Sequence, residues 1–211
     1  MGKLLLIAGA SGTGKTSVCD SLSREYGMSH RRHHEYVIEL AKKNGVSLEE
    51  LSQRWNDFSA EGLKLLLLDA MKSNIGICTD KHLAVQPVFD TNYARGIRME
   101  EDLNEPYERG LSDVELKLPE FRDVDLYFFL MESSPEEILR RRLDLKDKKA
   151  PRSLNPVSIV QEMKHEYKYF LEACELLSHY SRPNVSVISN GDGKISETIR
   201  RISEILWIGQ L

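Results

Sequence analysis

The run Gly9-Ala10-Ser11-Gly12-Thr13-Gly14-Lys15-Thr16 has the residue types and spacing of a phosphate cradle. Glycines at three of its positions let backbone N–H groups turn toward phosphate oxygens with no Cβ in the way. Lys15 is spaced to reach the β and γ phosphates, and the Thr16 hydroxyl to ligate Mg²⁺. The pattern requires an apolar strand before it and a helix after it. Lys3 to Ala8 supplies the first and Thr16 to Tyr26 the second. A bound nucleoside triphosphate is therefore expected, held by Gly9 through Thr16.

A second acid completes that chemistry. Ile75-Gly76-Ile77-Cys78-Thr79-Asp80 reads as a buried strand with a carboxylate at its end. Such an acid lies beside the phosphates and holds Mg²⁺ or its waters, which puts Asp80 opposite Thr16. An aspartate that only caps a strand is the plain alternative. Guanine selection uses an Asn-Lys-x-Asp segment after a late strand, whereas here Val185 to Ile188 is followed by Ser189-Asn190-Gly191-Asp192-Gly193. ATP is the expected nucleotide.

Residues 140–152 hold four Arg and three Lys against two Asp, a local charge of +5 in a chain whose total is −4. Arginines folded over a transferring phosphoryl group stabilise its charge and exclude water, so 140–156 is expected to form a short basic lid. Arg141 and Arg152 are the expected phosphate-contacting members, and a solvated helix end is the alternative. The cluster His30-Arg31-Arg32-His33-His34 suits an acceptor's anion or a solvated basic turn. Metal binding there is disfavoured, because no second ligand group is spaced to complete a site. His82, just past Asp80, falls where an acceptor would meet the phosphates.

The elements that must carry these residues are those of a parallel α/β fold. Strands are expected at Lys3 to Ala8, Ile75 to Thr79, Asp125 to Met131 and Val185 to Ile188, with a weaker one around Met28 to Arg32. That makes a central sheet of about five strands flanked by helices. Glu35 to Asn44, Leu48 to Trp55 and Ala60 to Ser73 read as helices of an acceptor-binding lobe spanning 27–73. Ser134-Pro135-Glu136-Glu137 is a helix start, with a capping serine, proline at the first helical position and acids in the first turn. Pro156 to Tyr180 and Lys194 to Trp207 supply two more helices. Residues 83–119 show no period and contain the acidic run Glu100-Glu101-Asp102, which reads as an inserted loop.

The chain has 211 residues, 41% hydrophobic and 29% charged, and suits one folded domain rather than a disordered chain. A net charge of −4 argues against bulk electrostatic binding of nucleic acid. Cys19, Cys78 and Cys174 are odd in number and far apart, which points to reduced thiols and a cytoplasmic location. The start flows into the glycine turn rather than a cleavage site, so no signal peptide is expected. The apolar run Leu65 to Leu68 is too short to span a membrane.

In this order of motifs the chain resembles the P-loop nucleoside monophosphate kinases, most closely the archaeal-type adenylate kinases. That family's Asp-Thr-His strand end corresponds to Asp80-Lys81-His82. Its Gly-Tyr-Leu-Pro-Gly-Leu-Pro segment is partly echoed by Pro106-Tyr107-Glu108-Arg109-Gly110-Leu111-Ser112. Its arginine pair and lid arginine correspond to Arg141-Arg142 and Arg152, and its monophosphate-binding arginine to Arg54. The resemblance implies a P-loop kinase fold and ATP-Mg²⁺-dependent transfer to AMP, with Arg54 and His82 on the acceptor. It also implies a homo-oligomer, commonly a trimer, while the short apolar runs leave no membrane partner expected. The sequence departs at Leu83-Ala84-Val85-Gln86-Pro87, which lacks the family's AMP-contacting arginine; Arg95 or Arg98 could replace it. Two alternatives stay open: a kinase for a small non-nucleotide metabolite, and a slow ATPase switch or assembly factor.

Overall fold

The computed structural model describes residues 2–85, 108–145 and 154–207. Their core is a five-stranded sheet in the order β2-β3-β1-β6-β7, with every neighbouring pair parallel. The strands are β1 (Gly2–Ala8), β2 (Ser29–His30), β3 (Ile77–Lys81), β6 (Val124–Glu132) and β7 (Asn184–Ser189). The weak strand around Met28 to Arg32 is real but only two residues long.

Side chains of β1 alternate between two apolar layers. Leu4, Leu6 and Ala8 pack with helix α4 (Trp55–Lys72) and helix α7 (Pro156–Ser178) through Leu63, Leu66, Leu67, Phe170 and Ala173. Leu5 and Ile7 pack with α1 (Lys15–Tyr26) and α8 (Ile195–Trp207) through Val18, Leu22, Ile199 and Ile202. Covering both faces is why β1 and β6 read as unbroken apolar runs. Strand β1 is flanked by β3 on one side and β6 on the other, so the order in which strands are added switches sides there. The crevice at the carboxyl ends of such strands is where α/β folds bind ligands.

Helices α2 (His33–Lys43), α3 (Leu48–Gln53) and α4 form the lobe, packed around Val37, Ala41, Leu51 and Phe58. Helix α4 starts five residues before the expected Ala60, with only Arg54 between it and α3. Strand β3 starts later than expected: Ile75 is exposed, and the chain turns at Gly76 before entering the sheet. The segment after β3 is not structureless at its ends. Strand β4 (Ala84–Val85) pairs antiparallel with β5 (Glu108–Arg109), and α5 (Asp113–Leu116) follows, capped by Ser112. Helix α6 (Pro135–Leu145) begins at the expected Ser134 cap, whose Oγ accepts from the Glu137 N–H at 3.2 Å. Arg95, Arg98 and the acidic run lie outside the described residues, as do Lys148, Lys149 and Arg152. Among the described residues no helix is long and apolar enough to cross a membrane.

Candidate active site

The cradle joins β1 to α1. Gly12 and Gly14 have φ of 92° and 91°, a conformation that side-chain-bearing residues resist. A Cβ on Gly14 would lie 2.5 Å from Asn190 Nδ2. Sterics and backbone conformation both demand glycine there.

Three neighbouring carbonyls of the loop are bonded from outside. Arg142 donates to Ser11 O from Nε at 3.1 Å and Nη2 at 2.9 Å. Arg141 Nη1 donates to Gly12 O at 3.1 Å, and Asn190 Nδ2 to Thr13 O at 2.7 Å. In a trans peptide the C=O and the following N–H point opposite ways. Fixing Ser11 O and Thr13 O therefore also fixes the Gly12 and Gly14 N–H groups, which point opposite to those carbonyls, and an anion site requires N–H groups held in set directions.

Lys15 is buried, its Nζ donating to Gly9 O at 2.5 Å and Ala10 O at 3.0 Å, with His82 Nδ1 at 3.4 Å. Thr16 Oγ1 donates to Asp80 Oδ2 at 2.8 Å. The hydroxyl and carboxylate expected to share a metal are thus side by side, and their hard oxygen donors suit Mg²⁺. Burial works against charge on Asp80. Hydrogen bonds from His30 and Thr16 and the nearby Lys15 charge outweigh it, holding the carboxyl well below its ordinary range.

His30 occupies a place that spacing alone did not reveal. Its Nε2 lies 3.0 Å from Asp80 Oδ1 and its Nδ1 2.8 Å from Asp20 Oδ1. The Asp80 hydrogen bond is the main reason its pKa rises to about 9, with Asp20 adding to it against desolvation. Spacing along the sequence offers the histidines no second ligand group, but in the fold donor atoms of Cys19, His30 and Asp80 lie within 4.8 Å of one another. Cys19 comes from α1, His30 from β2 and Asp80 from β3, and the packing of α1 on the sheet brings them together. His30 is held as a cation between two carboxylates, and contact with Cys78 together with burial raises the Cys19 thiol.

On the lobe side, Lys81 Nζ lies 2.8 Å from His33 Nδ1 and 3.3 Å from Glu115 Oε1. Ser59 Oγ donates to Glu115 Oε1 at 2.9 Å. This buried cluster ties α2, α4 and α5 to the end of β3. Burial and the Lys81 charge push His33 down to about 3, so it is neutral. Glu115 stays ionised at about 2, because Lys81 and the Ser112 backbone hydrogen bond overcome its burial.

His82 stands beside both Lys15 and Glu166, with Nδ1 at 3.5 Å from Glu166 Oε1. Arg54 is exposed at the start of α4, its Nε bonded to Asp57 Oδ2 at 2.9 Å and its guanidinium over Phe58. Arg141 donates to Gly12 O, Ser133 Oγ, Asn190 O and Asp192, contacts that brace the loop. Arg152 lies outside the described residues.

The residues that sequence reasoning missed are Asn190, Glu162 and Glu166, while His30 and Arg142 were singled out but not for the contacts they make. The buried face of α7 runs Ile159, Glu162, Glu166, Phe170, Ala173, Leu177. Two acids at apolar-face positions of a helix were a readable signal, since carboxylates there need partners.

Fold and site together define a P-loop kinase. By sequence the chain is similar to an adenylate kinase of Thermoplasma acidophilum, at 26% identity over 210 residues, covering 96% of this chain and 98% of that one. Solved structures of the same fold include shikimate kinase from Bacteroides thetaiotaomicron, with a TM-score of 0.54, 12% identity and coverage of 98% and 99% of the two chains. Another is the YorR protein of Bacillus subtilis in complex with phosphorylated GDP, with a TM-score of 0.56, 14% identity and coverage of 99% and 98%. No family model matches the chain.

Proposed function

We propose that the protein transfers the γ-phosphoryl group of ATP to a nucleoside monophosphate, with AMP as the acceptor. The observation that carries the reading is the approach of Thr16 to Asp80 at 2.8 Å beside buried Lys15, at the strand ends where the α2–α4 lobe joins the sheet. The choice of AMP is supported by similarity to an adenylate kinase along nearly the whole chain.

In this reading the N–H groups of the cradle and Lys15 bind the β and γ phosphates. Thr16 and Asp80 would hold Mg²⁺, which when bound would neutralise phosphate charge. An oxygen of the acceptor phosphate forms a bond to the γ-phosphorus as the bond to the β-bridging oxygen breaks, so ATP and AMP leave as two ADP. Catalysis is then positioning and charge stabilisation rather than covalent chemistry. Lys15 is the group best placed to stabilise the transferring charge. Arg54 and His82 are assigned to the acceptor, and Arg152 with its neighbours to the lid.

The test is an acceptor panel with ATP-Mg²⁺, scored by ADP formed above the rate without acceptor. AMP should stimulate most, and diadenosine pentaphosphate should inhibit tightly by filling both subsites. Stimulation by a hydroxyl-bearing metabolite and not by AMP would move the reading to a small-molecule kinase.

A further inference from the structure

Helix α7 reaches the phosphate cradle with a carboxylate. Glu162 Oε1 accepts from the Ser11 N–H at 2.6 Å, and Glu162 Oε2 accepts from Arg142 Nη2 at 2.6 Å. The same guanidinium donates twice to Ser11 O. The side chains of Arg142 and Glu162 are only 3% and 8% exposed. One residue of the cradle therefore has its N–H and its C=O both gripped by a single buried ion pair. The pair joins α6 to α7, the two helices on either side of residues 146–153.

We propose that Arg142 and Glu162 are positioning residues for the phosphoryl donor, acting through the Ser11 peptide; this rests on the reading of the loop as the ATP site. The physical argument is one of direction. Two N–H groups of Arg142 fix Ser11 O, so the planar trans peptide also fixes the Gly12 N–H, which points opposite to it. Glu162 fixes the other side of Ser11, so the residue cannot rotate to release it. A buried carboxylate alone would be strongly disfavoured beside backbone, and the arginine fork that neutralises it also does the aiming. A lysine at 142 supplies one point charge and cannot serve Ser11 O and Glu162 in the same fork geometry. Neither side chain needs to touch the nucleotide.

Two measurements test this. The first is calorimetric binding of ATP-Mg²⁺ to Arg142→Lys and Glu162→Gln, each checked for folding by circular dichroism. Each should weaken binding about tenfold, and the double variant should lose little more than either single one, because both act on one peptide. ATP binding is read without any acceptor, so the result stands or falls separately from the choice of AMP. A folded variant with unchanged ATP affinity would overturn the proposal, even if its melting temperature drops. The second measurement uses the unaltered protein and so does not depend on variants folding. In hydrogen exchange followed by NMR, the Ser11 amide should be protected with or without ATP, and the Gly12 amide protected only with it. A Ser11 amide that exchanges as fast as that of Gly12 before ATP is added would also overturn it.

Discussion

Removing the cation at position 30 should change how stability depends on pH, and His30→Gln is the perturbation that isolates it. Glutamine can still donate to Asp80 but cannot be charged. His30 is raised from 6.5 to about 9, and each pKa unit is worth about 1.4 kcal/mol, so the protonated form carries about 3 kcal/mol of stability. Asp80 contributes the larger part because its side chain is 17% exposed, whereas Asp20 at 59% is screened by solvent. Between pH 6.5 and 9 the folded chain holds a proton that the unfolded chain has lost. Stability from His30 is thus full below pH 6.5 and disappears as pH rises through 9. Asp80 behaves oppositely: its contribution is present above the ordinary carboxylate range and fades only in strong acid. The assay is thermal unfolding of both proteins from pH 6 to 9.5 with metal ions chelated. At pH 6 the variant should be less stable by about 2 to 3 kcal/mol, or about 4 to 12 °C for a chain of this size. The gap should close by pH 9.5. A gap that stays constant across the range would refute the ion pair.

Three further outcomes follow from the same geometry. Asn190→Ala leaves the buried Thr13 carbonyl without its donor, so stability should fall by about 1 to 3 kcal/mol and ATP-Mg²⁺ binding should weaken in calorimetry. Asp80→Asn should raise the Mg²⁺ concentration needed for half-maximal activity and should also lower the melting temperature, because the same carboxylate holds His30. For Glu166, burial raises the carboxyl to about 7, so its contribution is present below pH 4.5 and is lost as pH rises through 7; a Glu166→Gln variant should show a flatter stability profile over that range in denaturant titrations.

Much of this site was legible because its strongest signals are local. The glycine spacing, Lys15 and Thr16 sit within one turn, and the chain around them has one strand-to-helix geometry available. Asp80 was readable because a polar residue ending a run of Ile and Cys must emerge at a strand end. The partners of those residues were hidden because they meet only through the parallel sheet. His30 and Asp80 are fifty positions apart and neighbours because β2 pairs with β3, with His30 opposite Cys78. Asn190 becomes a brace of the cradle because β7 ends beside β6, and its N–H is bonded to Glu132 O. The partners of Arg141 were not legible from charge alone. The basic run marks it as a cation, and packing of α6 against the cradle gives its guanidinium four acceptors on the scaffold. Arg54 likewise finds Asp57 three residues on, a local pairing that motif matching does not weigh.

The central claim is phosphoryl transfer from ATP bound in the Gly9–Thr16 cradle to an acceptor monophosphate. Following the fate of labelled γ-phosphate tests it most directly. With ATP-Mg²⁺ and AMP, the label should appear in ADP and not as free phosphate. Lys15→Ala, folded by circular dichroism, should lower that rate by about a hundredfold or more. Label released as inorganic phosphate at a rate indifferent to AMP, or transfer undiminished in Lys15→Ala, would contradict the account.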